Sequence, residues 1–307
     1  MFGPTIDYWI LRPLTHGRRL ATEENLDSSY AAGFKIDLSA ATRRVEKLQS
    51  RLRGRFPIRP DLSYLDIGCG AGDIAFALAM LGAGKITGVD LMPRNISAAI
   101  ANRDALHFED RVDFVCRDIH HWTPPQRYDV VLSHEALEHI RDPHNFIARL
   151  GALVKDDGIA VLAFGPLFRS PFGDHMDGFF RVQIPWRGVL FSEKAVLRLR
   201  RARFRPGDAA ESYPEIVGGL NLLRYSDFLR SVAETGWEFD FLAVNPQLRR
   251  LPPAWWISNT LVRAPVLRDY VASSVYAILR RRAPASQNGH KPDAARNEEA
   301  LTGRTMR

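Results

Sequence analysis

The stretch SYLDIGCGAGDIAF, residues 63–76, decides the fold. It reads as a buried strand, a glycine turn and the start of a helix. Leu65 and Ile67 are the apolar residues of the strand. Gly68, Gly70 and Gly72 permit positive φ and let a ligand come close to the backbone. The helix begins near Asp73, offers Ile74, Phe76, Leu78 and Leu81 to a core, and stops at Gly82. Such a turn leaves backbone N–H groups at the carboxyl edge of a parallel sheet, where ligands bind in open α/β folds.

A glycine turn alone serves many purposes, so the reading must extend outward. Residues 85–90, KITGVD, form a second strand that ends on Asp90, about 20 residues after the glycines, where a nucleotide fold places its ribose-binding carboxylate. Residues 111–118, RVDFVCRD, form a third strand closed by Asp118, and residues 128–133, YDVVLS, a fourth. The glycines run Gly68-Cys69-Gly70-Ala71-Gly72, which departs from the G-x-G-x-x-G of dinucleotide-binding dehydrogenases.

Taken in order, LDIGCGAGD, GVD, RDI and YDVVLSHEALEHI resemble the successive motifs of class I S-adenosylmethionine-dependent methyltransferases, closest to the group that includes the ubiquinone-pathway enzymes. The resemblance covers residues 61 to 165 well and the rest loosely. It implies an α/β fold: a doubly wound, mostly parallel, seven-stranded Rossmann-like sheet. An inserted cap follows the fifth strand. In that family the last strand runs antiparallel between the fifth and sixth.

A chain of 307 residues can hold one large α/β domain with an insertion. Its 46% hydrophobic content is that of an ordinary globular protein, with no run of 18 apolar residues and no signal-like N-terminus. The two cysteines, Cys69 and Cys116, have neither disulfide-framework nor metal-type spacing, so a reduced, cytoplasmic protein is expected. The net charge of +7 is unevenly placed. Arg198, Arg200, Arg201, Arg203 and Arg205 crowd one segment, and Arg280, Arg281 and Arg282 another. These runs read either as solvated element ends or as a contact for an anionic partner, including peripheral contact with a membrane surface.

Five regions are expected. Residues 1–60 form an N-terminal helical extension, with a helix over 36–53 and Tyr8, Trp9, Ile10 and Leu11 available to cover a sheet edge or the site. Residues 61–165 form the cofactor-binding core, with helices opening at Pro93 and at Asp142-Pro143, a turn at 156–158 and a fifth strand at 159–164. Residues 166–225 break the βα alternation and, being rich in Phe and Trp, read as a cap that carries substrate contacts; a second small core without a ligand role is the alternative. Residues 226–283 return to the sheet with a sixth strand at 237–244, an insertion at 246–268 and a seventh strand at 273–279. Residues 284–307 read as a polar, disordered tail.

By the resemblance, Asp66, Gly68 and Gly70 lie against the methionine part of S-adenosylmethionine, Asp90 accepts from both ribose hydroxyls, and Leu91 and Met92 pack on adenine. Asp118 and the Ile119 N–H receive the adenine edge, and Ser133 and His134 line the methyl-transfer end. The alternative for Asp90 and Asp118 is helix capping. His134, His139 and His175 are the candidate bases, His175 being the cap residue expected nearest the methyl. Glu135, Glu138 and His139 would share one face if locally helical, and with His175 they resemble a divalent-metal motif of small-RNA 2′-O-methyltransferases and ubiquinone-pathway O-methyltransferases. No metal is assigned, and these four are candidates only. The expected activity is O-methylation of a small-molecule or lipid-like acceptor. The alternatives are a metal-dependent RNA methyltransferase, although beyond the arginine runs there is no recognisable RNA-binding module, or a non-catalytic scaffold. The acceptor, the oligomeric state and the role of the N-terminal extension are not readable from the sequence.

Overall fold

The computed structural model describes residues 3–16, 35–216 and 218–282. The expected tail at 284–307 lies outside them. The elements, in chain order, are α1 (Pro4–Leu11), α2 (Leu38–Arg51), β1 (Tyr64–Ile67), α3 (Asp73–Met80), β2 (Ile86–Asp90), α4 (Pro93–Leu106), β3 (Val112–Cys116), β4 (Tyr128–His134), α5 (Pro143–Leu153), β5 (Val154–Phe164), α6 (Glu193–Arg203), α7 (Tyr225–Glu234), β6 (Trp237–Val244), α8 (Pro252–Leu261) and β7 (Val275–Arg281).

The seven strands form one sheet in the order β3-β2-β1-β4-β5-β7-β6. β3, β2, β1, β4 and β5 pair in parallel, and β7 is antiparallel to both β5 and β6. The sheet is therefore mixed, with its antiparallel pairing at one side. The topology reverses between β1 and β4, where an open α/β sheet leaves a crevice beyond its strand ends.

The period-2 alternation of the strands builds two cores. On one face Tyr64, Val130, Leu132, Val161 and Ile278 pack with Val45 and Leu48 of α2, Phe76 of α3 and Ala99 of α4. On the other, Leu65, Ile67, Val131, Leu162 and Leu279 pack with Phe146 and Leu150 of α5 and Phe228 of α7. Phe228 is fully buried, with its ring 5.0 Å from Phe164. Truncating it to Ala would cost about 3–5 kcal/mol. Asp142 caps α5 as its sequence suggests, accepting from Asn145 N–H at 3.1 Å.

Residues 156–158, expected as a turn, fall within the range of β5 but bulge out of its ladder: Tyr128 pairs with Val154 and Val130 with Ile159. Two exposed ion pairs flank this bulge: Lys155 Nζ lies 2.8 Å from Asp129 Oδ2 and Arg127 Nη1 2.9 Å from Asp156 Oδ1. The pairing with β4 shifts register between Tyr128 and Val130, which absorbs the extra residues.

The segment after β5 has a third core of its own. Met176, Phe179, Phe180, Val196, Leu199, Phe204 and Tyr213 pack together. Tyr8 and Leu11 of α1 join them, so α1 covers the cap and not a sheet edge. Asp7 Oδ2 accepts from Ser192 N–H at 2.8 Å, and Thr15 bridges to Phe180. A bidentate ion pair lies inside this core: Arg187 Nε and Nη2 each donate to Asp174 at 2.7 Å, with both side chains out of solvent. Removing either partner would strand a buried charge and cost about 3–5 kcal/mol.

The arginine runs are mostly engaged within the fold. Arg200 pairs with Asp208 at 2.7 Å, Arg201 donates to the carbonyls of Asp208, Ala209 and Ala210, and Arg198 stacks over Tyr8. Arg280 pairs with Asp240, Arg281 donates to the carbonyls of Gly151 and Val154, and Arg282 to those of Ala233 and Trp237. Among the described residues no helix is long and apolar enough to cross a membrane.

Candidate active site

The glycine turn leaves β1 at the crevice. Gly68 and Cys69 donate to the carbonyl of Val89 at 2.8 and 3.2 Å, which fastens the turn to the end of β2. Gly68 has φ 73°, and a Cβ there would come within 2.5 Å of Ala136 Cβ. Gly70 also has positive φ, but a Cβ on it would meet nothing within 4 Å. The space over Gly70 is open, and the turn presents bare backbone to it.

Two carboxylates flank this turn, and a third closes the next strand. Asp66 is 2% exposed, and its Oδ2 has no hydrogen-bond partner. Burial, with the negative charges of Asp90 and Asp73 adding to it, pushes its pKa up to about 7. A buried acceptor without a donor is costly, and here it sits behind an open glycine turn. Asp90 closes β2. Its Oδ2 accepts from Gly70 N–H at 3.0 Å, and its Oδ1 from Met92 N–H at 2.8 Å and Asn95 Nδ2 at 3.1 Å. Asp90 thus does cap the following turn, yet a carboxylate has about four acceptor sites, so capacity remains. Leu91 and Met92 are 62% and 37% exposed at this edge. Asp118 Oδ1 accepts from His120 N–H at 2.9 Å, again a local cap, and Ile119 beside it is buried.

β4 supplies Ser133, which is fully buried with an unpartnered hydroxyl, and His134, whose pKa burial lowers. Glu135 follows in the left-handed region at φ 52°. Leu137–His139 is a single turn of 3₁₀ helix, and Glu135 lies outside it. Glu135 and His139 are exposed while Glu138 is 3% exposed, so the three do not share one face. The local turn is too short and too tight for the expected helical spacing. Glu138 Oε1 accepts from Gly165 N–H at 3.2 Å, Oε2 has no partner, and burial raises the pKa to about 7. Among the described residues no group of three or more His, Cys, Asp or Glu side chains is arranged to hold a metal ion.

The cap brings His175 to this turn. Its ring meets that of His139 edge-on at 5.5 Å, and its Nε2 lies 2.9 Å from the carbonyl of Pro166. His139 Nδ1 lies 2.7 Å from the carbonyl of Gly219. A carbonyl only accepts, so both of those nitrogens carry protons in the neutral rings.

Three residues that carry this site have no motif signal. Asn95 braces Asp90 from the first turn of α4. Ala136 fills the space that only a glycine at position 68 leaves. Asn221 holds the cap against the 3₁₀ turn, its Nδ2 donating to the carbonyls of Leu137 and Ile140 at 2.6 and 2.8 Å and its Oδ1 accepting from Leu223 N–H. A polar side chain four residues before a helix was the only cue to Asn221.

Comparison with known proteins agrees with this geometry. Residues 58–164 match the model of a family described as a methyltransferase domain. A ubiquinone biosynthesis O-methyltransferase of Rhodopseudomonas palustris strain HaA2 is 39% identical over 102 residues, which are 33% of this chain and 39% of that protein. The mitochondrial ubiquinone biosynthesis O-methyltransferase of Arabidopsis thaliana is 34% identical over 103 residues, 33% of this chain and 32% of that protein. The chain therefore aligns with under two fifths of the length of these curated relatives. Among solved structures, a putative S-adenosylmethionine-dependent methyltransferase from Listeria monocytogenes superposes with TM-score 0.50 at 17% identity, covering 78% of this chain and all of that one. The cyclase SpnF superposes with the same TM-score at 15% identity, covering 87% and 98%. These two likenesses show the fold alone.

Proposed function

We propose, from a chain whose residues 58–164 form a class I S-adenosylmethionine-dependent methyltransferase domain, that the protein transfers a methyl group to a hydroxyl oxygen of a small or lipid-like acceptor. The observation that carries this reading is Asp66. A buried carboxylate with an orphan oxygen, backed by Asp90 and facing an open glycine turn, suits a ligand that brings a donor and positive charge. The ammonium and sulfonium of S-adenosylmethionine are such groups.

Asp66, Gly68 and Gly70 would hold the methionine part, and Asp90, with Asn95 bracing it, the ribose hydroxyls. Leu91 and Met92 would cover adenine, with Asp118 and Ile119 at its edge and Ser133 at the methyl end. The bound sulfonium supplies an electrophilic methyl, so the protein's part is alignment and proton removal. His139 and His175, at the cap–core contact with their tautomers set by Gly219 and Pro166, are the proton acceptors we favour. Neutral His134, at the end of β4, lines the same end. The cap, held by Asn221, excludes water and shapes the acceptor site.

Calorimetry with S-adenosylhomocysteine tests the enzyme reading: no heat and no thermal shift at millimolar ligand would favour the scaffold. Labelled methyl transfer into hydroxylated aromatic and prenylated acceptors tests the substrate class. Tight binding of mixed RNA with a steep salt dependence would turn the assignment toward nucleic acid.

A further inference from the structure

We infer that the insertion between β6 and β7 is a docking surface for an anionic lipid bilayer. Val244, the last residue of β6, pairs with Val275, the first of β7, and Val275 pairs with Phe164 at the carboxyl end of β5, so the insertion rises from the sheet edge that carries the site. It is held firmly. Asn245 Nδ2 donates to Ser258 Oγ and to the carbonyl of Val271, each at 2.7 Å, and Asn245 Oδ1 accepts from Ser273 and Ser274 N–H. Val262 is buried in the core beneath.

This anchoring turns an apolar surface outward. No residue of α8 is buried. Pro253, Trp256, Ile257, Thr260 and Arg263 recur at helical spacing and are all exposed. Trp256 is 66% exposed, Ile257 52%, Leu251 60% and Val266 80%. A folded chain seldom fixes so many large apolar groups in water without something to cover them.

The charge identifies what covers them. Residues 245–274 contain Arg249, Arg250, Arg263 and Arg268 and one acid, Asp269, whose carboxylate is taken up by Ser226 N–H and Oγ–H. Arg249, Arg250 and Arg263 are exposed, and among the described residues none of the three is in a salt bridge. Exposed Trp and Ile interleaved with cations, the one acid being engaged inside the fold, is the composition that enters a headgroup layer, the apolar groups at the acyl boundary and the arginines on phosphate. The cap is tied to the same surface: Trp186 Nε1 donates to the carbonyl of Tyr270 at 2.8 Å, and Arg169 lies over the Tyr270 ring. Docking would therefore set the cap beside the bilayer. The inference stands on the insertion and does not need methyl transfer.

The test is co-sedimentation of the full chain with vesicles of phosphatidylglycerol and phosphatidylcholine, against phosphatidylcholine alone. Binding is expected to the anionic vesicles and to weaken with salt. Trp256→Ser with Ile257→Ser should weaken it at least about ten-fold, and so should Arg249→Gln, Arg250→Gln and Arg263→Gln together. An unchanged melting temperature in both variants shows that the fold is intact. Three results overturn the inference: no binding of the parent chain to anionic vesicles, binding that neither variant weakens, or a dimer of the parent that the Trp256 and Ile257 changes dissolve while vesicles are ignored. A chain that binds vesicles but not S-adenosylhomocysteine would refute the methyl-transfer reading and leave this one standing.

Discussion

Replacing Asp66 with Asn keeps the shape of the side chain and removes its charge. Burial moves the native pKa from 3.8 to about 7, so the folded protein holds a proton that the unfolded chain has already lost at neutral pH. The group's contribution is complete below about pH 4 and is lost as pH rises through about 7. At about 1.4 kcal/mol per unit, ionising Asp66 costs the fold at most about 4 kcal/mol, of which about 2–3 falls between about pH 5 and about pH 8. Urea unfolding of the parent and of Asp66→Asn at those two pH values reads this directly. The variant should gain about 2–3 kcal/mol on the parent as pH is raised. Binding adds a second reading. If a ligand ammonium meets the orphan oxygen, the carboxyl ionises on binding and releases a proton near pH 6. The heat of S-adenosylhomocysteine binding should then depend on the ionisation heat of the buffer in the parent and much less in the variant. Parallel stability profiles for the two proteins would refute the high-pKa account of Asp66, and buffer-independent heat in the parent would refute its pairing with the ligand.

Asp90→Ala should weaken S-adenosylhomocysteine binding by about 10–100-fold in calorimetry, and Asn95→Ala by a few-fold at most, since Asn95 only braces the carboxylate. Gly68→Ala should abolish binding and destabilise the fold by about 2 kcal/mol or more, because the new Cβ collides with Ala136 in a left-handed backbone position; pairing it with Ala136→Gly should restore part of the melting temperature, and no rescue would mean that the contact is not the cause. His175→Ala should leave cofactor affinity nearly unchanged and lower turnover at least about ten-fold, a barrier rise of about 1.4 kcal/mol, with the acidic limb of the pH profile altered. Normal turnover in that variant would remove His175 from the chemistry.

The sheet was legible because its signals are local. Leu65 and Ile67 before three glycines, and Asp90 and Asp118 closing the next strands, each announce an element within about ten residues. The sixth strand matches the observed Trp237–Val244, since a glycine and an alternating run delimit it. Long-range contacts were less legible. The apolar residues Tyr8 and Leu11 carried no statement about their partner, which is α6, almost the length of the core away in sequence. The expectation that Glu135, Glu138 and His139 share a face assumed α-helical spacing, and a 3₁₀ turn preceded by a left-handed residue separates them. The turn expected at 156–158 is a bulge inside β5, because Val154 and Ile159 both pair with β4, a long-range ladder invisible locally. The sequence left open whether the arginine runs were solvated ends or a contact surface, and most of them bond within the fold, several while still exposed; Arg249, Arg250 and Arg263, with no ion pair among the described residues, lie in the insertion at 246–268.

The packing of α1 on the cap has a consequence for the order of assembly. The hydrogen bond between Asp7 and Ser192 spans 185 residues. Closing a free loop of that length costs roughly 5 kcal/mol of chain entropy, too much for one short helix to meet while the chain between is loose. The sheet shortens the effective loop by gathering β1 to β5 first, and only then can α1 find Phe180 and Val196. On the ribosome, α1 must therefore wait until α6 has emerged, with Tyr8 and Leu11 exposed meanwhile. A helix made well before the cap is thus among the last elements to dock, and its arrival completes the cap core.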